Sequence, residues 1–216
     1  MRADGALIAV GGGAWGDSTD PLPVTVSHDE GGSWEEIGAI VLPQQYNERY
    51  PYHLARLPDG TLLCGINCRD HVQQEGGRHV SGHIALNLYR SRDGGETWTG
   101  PHKVADWCHE GGITALPSGK LLAALRYQRA ILPDDPPDIL EQTGGSSFPY
   151  KHVFLADSDD GGATWQNLRQ LTTVFGQCHG FPTALSDGTV VVIHDTRYGP
   201  GPPSGRALVS RDEGQT

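Results

Sequence analysis

Three short segments of this 216-residue chain carry acid–base and anion-binding side chains: Glu48-Arg49-Tyr50-Pro51, Cys108-His109-Glu110-Gly111 and Cys178-His179-Gly180-Phe181-Pro182. Arginines recur after them at Arg69, Arg126 and Arg197, with Asp70 beside the first and Tyr198 beside the last. A guanidinium fork grips a carboxylate through two parallel N–H donors, which Lys cannot do. Asp, Glu or His can hold or release a proton near neutral pH when the surroundings shift them. For His109 and His179 a second reading stays open, that of a hydrogen-bonded core or surface histidine. The arginines, likewise, read either as a cluster or as solvated strand ends. The two Cys-His pairs fall in separate parts of the chain and lack the paired spacing of a zinc ribbon, so neither a metal nor any other cofactor is implied.

An internal repeat is what would position these groups. Asp4-Gly5, Asp59-Gly60, Ser118-Gly119 and Asp187-Gly188 each lie between short apolar runs, the strongest local signal of a hairpin. They recur in steps of about 60 residues. A second motif alternates with them. Ser27–Trp34, Ser91–Trp98 and Ser158–Trp165 share Ser-x-Asp-x-Gly-x-Ser/Thr-Trp, and a fourth copy from Ser210 reaches Thr216 before its Trp. Short runs rich in Leu, Val and Ile flank both motifs, and no convincing helical period appears. The spacing predicts an all-β chain of four-stranded antiparallel units, with approximate repeats at residues 1–46, 47–106, 107–175 and 176–216. Units of this kind, each too small to bury its own faces, are β-propeller blades.

In a propeller, equivalent positions of successive blades meet around one axis. Arg69 and Arg197 stand at the same offset from Gly60 and Gly188, with Arg126 and Arg129 near it in the intervening repeat. The long segments 69–82, 130–150 and 196–205 fall on one side by the same topology, where loops shape binding sites. The Ser-x-Asp motif has a different purpose. Its Asp and Ser/Thr can bond turn amides, its Gly permits a positive φ and its Trp packs between sheets, all matters of stability.

This Asp motif resembles the Asp box of the sialidase (neuraminidase) superfamily, whose fold is a six-bladed propeller. The resemblance implies about four blades here, so a partial propeller with material absent at both ends. Arg49-Tyr50-Pro51 resembles that superfamily's Arg-Ile-Pro motif with Tyr for Ile, although a repeat precedes it where the family motif usually opens the first blade. It implies that Arg49 and Arg69 belong to a three-arginine clamp on the substrate carboxylate and that an Asp a few residues after Arg69 is the acid/base residue; Asp70 is adjacent and Glu75 six residues on, neither at the family spacing, and Asp70 is the candidate chosen. Arg126, Arg197, His109, Glu110, His179 and Tyr198 are the further substrate-binding candidates, by their place in the repeat. Glu110 and Glu141 are mid-chain carboxylates without a matching family position. The nucleophilic Tyr and its Glu partner are expected beyond Thr216. The function implied is a sialidase-like glycoside hydrolase acting on sialic acid or another acidic glycan; the alternative is a noncatalytic propeller binding carbohydrate or protein.

Composition narrows the partners. Sixteen Lys and Arg against 26 Asp and Glu give a net charge of −10, so a phosphate backbone is repelled and nucleic acid is not expected. No apolar run is long enough to span a bilayer. The stretch after Met1-Arg2-Ala3-Asp4 is too short and acidic for a secretory leader, and the compartment stays open. The four cysteines are too few for a disulfide scaffold and read as buried thiols.

Overall fold

The computed structural model describes residues 1–2, 4–43, 46–70, 73–75, 78–80, 83–129, 132–135, 150–174, 176–197 and 202–215, without the side chains of 14–18, 47, 73–75 and 78–80. The chain forms two compact units, Met1–Lys103 and Val104–Thr216. Among the described residues no helix is long and apolar enough to cross a membrane.

All four expected hairpins share one turn. Gly60 N–H donates to Leu57 O and Leu57 N–H to Thr61 O; the same pair of bonds recurs at Arg2–Ala6, Leu116–Lys120 and Leu185–Thr189. The glycines sit at φ of 89°, 89°, 87° and 84° for Gly5, Gly60, Gly119 and Gly188, where a Cβ would be strained. Asp4, Asp59 and Asp187 each accept from the backbone N–H two residues on, at 3.0, 2.9 and 2.9 Å. Ser118 does the same for Lys120 at 3.4 Å. This is the three-residue hairpin with a left-handed glycine.

The Asp motifs fold alike. The buried Ser27, Ser91 and Ser158 hydroxyls accept from Gly31, Gly95 and Gly162 N–H at 2.8–2.9 Å and donate to Asp29, Asp93 and Asp160. Ser210, Asp212 and Gly214 repeat the pattern. Hydrogen bonds from Ser33 and Thr164 pull the Asp29 and Asp160 carboxyls down to about 2. At Asp93 slight burial works the other way and is outweighed by bonds from Thr97 and Ser91, again giving about 2. Because the folded values lie below the ordinary 3.8, the stabilisation is present above that pH and is lost as pH falls toward about 2. The thermal midpoint is therefore expected to drop steeply between pH 4 and pH 2, and Asp93→Asn to lower it at pH 7 while flattening its acid limb; melts across that range check this.

In the first unit, β1 (Leu7–Val10), β3 (Leu22–Ser27) and β4 (Glu35–Ile40) form one antiparallel sheet in the order β1-β3-β4. The second sheet runs β10-β9-β6-β5-β2, with β2 Ala14–Ser18, β5 Tyr46–Arg56, β6 Leu62–Arg69, β9 Ile84–Ser91 and β10 Thr99–Asp106. Strand β2 departs from its repeat. It leaves the first sheet and pairs with β5, Ala14 opposite Arg49, so the second sheet has five strands. A small hairpin, β7 (Gln73–Glu75) and β8 (Arg78–Val80), lies between β6 and β9 in sequence. Strand β6 is buried on both faces until Arg69, as a central strand should be. Leu22, Val24 and Ile40 from one sheet pack with Cys64, Ile66, Cys68 and Tyr89 from the other.

The second unit holds a four-stranded meander, β11 (Cys108–Ala115), β12 (Leu121–Arg129), β13 (Tyr150–Ser158) and β14 (Gln166–Gln170). A three-stranded sheet follows, β15 (Gln177–Ala184), β16 (Val190–Thr196) and β17 (Ser204–Ser210). Leu116, Leu122, Ala124, Val153 and Leu155 pack with Val190 and Val192 between them. Gly180 lets β15 approach closely: a Cβ there would lie 2.7 Å from Val153 and 2.9 Å from Ala124.

Candidate active site

Arg49, Arg69 and Asp70 lie in the first unit. The β5–β6 register sets Glu48 opposite Arg69 and Arg49 opposite Cys68. Arg69 Nε is 2.9 Å from Glu48 Oε2, and the Glu48 side chain is 1% exposed. Arg49 is fully buried and donates from Nη1 to the Asp20 backbone carbonyl. Asp70, 48% exposed at its side chain, donates its N–H to His83 O at 2.9 Å and has its carboxylate 3.9 Å from His83 Nδ1. The nearby Tyr46 hydroxyl is pushed up to about 12, chiefly by burial, with Cys68 and Asp70 adding to it. It is a neutral hydrogen-bonding group at physiological pH.

The second unit gathers Glu110, Arg126, His179 and Arg197 around one point, for a reason visible in the backbone. Strands β11 and β15 both break register at their Cys-His pair, β11 between His109 and Gly112 and β15 between Cys178 and Phe181. Glu110 (φ 45°) and His179 (φ 52°) occupy these bulges in the left-handed region, a conformation that non-glycine residues adopt at a cost of order 1 kcal/mol and that clusters at functional sites. The bulges re-aim both side chains. His179 Nε2 lies 2.5 Å from Glu110 Oε2, and Nδ1 lies 2.9 Å from Asp195 Oδ2. Arg126, 8% exposed, donates from Nη1 to Glu110 Oε2, and the same atom lies 3.1 Å from His179 Nε2. Arg197 Nε donates to Asp195 at 3.0 Å, and Nη2 is 3.3 Å from both ring nitrogens of His179. His109, buried, is peripheral, its Nδ1 3.9 Å from Glu110 Oε2.

The electrostatics follow from this crowding. Burial lowers the His179 pKa, Asp195 pulling the other way and the two guanidiniums reinforcing burial. Burial also opposes ionisation of Asp195, but bonds from His179 and Arg197 outweigh it and keep that carboxyl below its ordinary value. Lys151 of β13 is 8% exposed, and its ammonium is brought down to about 8 by burial first, then by Arg126 and Arg197, against the opposing influence of Cys178. Between about 8 and the ordinary 10.5 the unfolded chain binds more protons, so stability rises with pH across that window. Lys151→Met is accordingly expected to stabilise the fold at pH 7 by about 2–3 kcal/mol and to lose the advantage near pH 10.5. Urea unfolding at the two pH values reads this.

Cys178, His179 and Asp195 present atoms within 4.8 Å of one another, a spacing that a metal ion can bridge. The surroundings oppose it. Burial pushes the Cys178 thiol up to about 11, and Arg126 and Arg197 already stand against the same imidazole. The other cysteines, Cys64, Cys68 and Cys108, are also buried free thiols. Tyr198 and Glu141 lie outside the described residues. Sequence reasoning passed over Asp195 and Lys151. Asp195 had a usable signal, since it lies at the end of a strand only two residues before Arg197. Arg129 is engaged elsewhere, paired with Asp135 at 2.5 and 2.9 Å and stacked 3.7 Å from the Tyr150 ring.

Comparison with known proteins agrees with this architecture. The BNR/Asp-box repeat family matches residues 89–99, the second Asp motif. No curated protein sequence matches the chain significantly. Among solved structures, a protein of unknown function from Dyadobacter fermentans aligns at TM-score 0.68 and 18% identity, over 99% of this chain and 64% of its own. The GH93 α-L-arabinofuranosidase of Fusarium graminearum, solved with arabinobiose, aligns at 0.64 and 18%, over 98% and 60%. A Hadza microbial sialidase aligns at 0.59 and 16%, over 93% and 37%. The chain thus spans under two thirds of the length of these structures. The chain carries a BNR/Asp-box repeat and shares with these structures an all-β fold built from β-propeller blades.

Proposed function

We propose that the chain is part of a sialidase-like glycoside hydrolase acting on an acidic glycan, with Glu110 as proton donor to the departing group. The observation that carries this is the 2.5 Å contact between Glu110 and His179, framed by two guanidiniums. The imidazole beside this carboxyl is a proton source from which it could protonate a glycosidic oxygen, as glycosidases require. Around it stand three cations, Arg126, Arg197 and Lys151, and two carboxylates, Glu110 and Asp195. The balance is positive in a protein of net charge −10, which favours an anionic ligand locally. Arg197, 46% exposed at its side chain, is the cation placed to meet it. The same proposal gives Arg49 and Arg69 carboxylate-binding roles and Asp70 an acid/base role by resemblance to the superfamily, and His109 and Tyr198 substrate contacts by their place in the repeat.

A second reading has its own support. Arg69, Arg126 and Arg197 are each already matched by a carboxylate, Glu48, Glu110 and Asp195, which suits a neutral sugar better than a free anion clamp. The arabinofuranosidase likeness points the same way. Fluorescent release from 4-methylumbelliferyl sialoside and from the corresponding α-L-arabinofuranoside, with wild type and Glu110→Gln in parallel, separates the two. Turnover of neither, with glycan binding retained, would make the protein a noncatalytic binding propeller.

A further inference from the structure

We propose that Glu110 and His179 hold one proton in common and that Asp195, by fixing the other side of the imidazole, decides where that proton sits. Using it to protonate a leaving group rests on the glycosidase reading above; the sharing itself does not.

Two lone pairs, one on each group, compete for the same proton. His179 Nε2 and Glu110 Oε2 lie 2.5 Å apart, close enough for one proton to pass between them. Either the imidazole is doubly protonated and donates to a carboxylate, or Glu110 is a carboxylic acid and donates to a bare Nε2. The two arrangements differ only in the position of one proton and carry the same total charge. Neighbours on every side weigh on the choice. Asp195 on β16 accepts from Nδ1 at 2.9 Å, which fixes the tautomer and favours the imidazolium. Arg126 on β12 donates to Glu110 and favours the carboxylate, while its charge, 3.1 Å from Nε2, disfavours the imidazolium. Arg197 lies equally far, 3.3 Å, from both ring nitrogens, so its guanidinium rests against the ring face instead of donating to one lone pair, and it too repels the charged ring. Lys151 on β13 adds a third positive charge, Cys178 beside His179 stays a thiol, and His109 on β11 stands 3.9 Å from Glu110. Opposed influences of this kind act on both sites of the proton, and two groups so coupled titrate as a pair. His179 is then a positioning residue, acting through Glu110.

The test is carboxyl-13C and imidazole-15N NMR of the whole chain between pH 4 and 9. Sharing predicts that the Glu110 carboxyl and His179 Nε2 signals move at one common midpoint, while Nδ1 stays protonated. Asp195→Asn should shift that midpoint to lower pH by on the order of one unit and move the Nε2 signal toward its unprotonated position. Glu110 titrating alone in the ordinary carboxylate range, with His179 at a separate midpoint, would overturn the proposal. A common midpoint in a protein that hydrolyses no glycoside upholds the shared proton and removes the hydrolase reading. Turnover with separate midpoints does the reverse.

Discussion

Glu110→Gln is expected to lower kcat for glycoside hydrolysis by roughly 10²–10⁴-fold, the range contributed by a positioned general acid. The amide keeps the shape of the carboxyl and can still bond Arg126, but it has no proton to release. Its NH2 can also donate to His179 Nε2, so the local packing should survive and KM should change far less than kcat. A leaving group that needs no protonation, such as dinitrophenol, should recover much of the lost rate. That rescue separates a proton donor from a residue that merely supports the bulge. Equal losses on activated and unactivated substrates would remove Glu110 from the acid role and return attention to Asp70 in the first unit. Histidine replacement gives a graded control. His179→Asn should leave turnover detectable while moving the pH profile, since it alters the proton's holder and not the proton's donor.

Arg69→Ala is expected to cost about 3–5 kcal/mol of stability, enough to unfold a marginal domain. The cause is Glu48, whose side chain is 1% exposed and 2.9 Å from Arg69 Nε. Removing the guanidinium strips the buried carboxylate of a cation 2.9 Å away, and its desolvation is then less well compensated. Replacing both partners, as in Glu48→Gln with Arg69→Met, should recover most of the loss, because a neutral pair of similar volume carries no desolvation penalty. Urea midpoints of the two single variants and the double variant form the cycle that measures it. The result matters for function too. Loss of activity in Arg69→Ala alone would confound a substrate-binding arginine with a structural one, whereas the double variant, if folded and inactive, would isolate the binding role.

The local turns were legible because their chemistry is local. Asp59-Gly60 and its relatives make the same two backbone bonds wherever they occur, since the left-handed glycine and the Asp side chain determine the turn between them. The Asp motifs behave likewise, each Ser, Asp and Gly bonding within a few residues. Strands His83 to Arg90 and Lys151 to Asp157, expected from apolar runs leading into those motifs, are β9 and β13. Strand β2 was not legible as a partner of β5. Pairing between distant segments depends on which edges packing leaves adjacent, and residues 14–18 carry no local mark of it.

By itself, then, the amino-acid order determined the repeats, the turn types and the all-β class, because each rests on contacts within one hairpin. It also placed Glu110 and His179 at equivalent positions ahead of their turn glycines. Only the tertiary structure decided that the two side chains meet, that Asp195 and two guanidiniums close around them, and that Arg69 belongs to Glu48. Those distances arise where separate strands pack, at paired bulges whose direction no single stretch of sequence encodes.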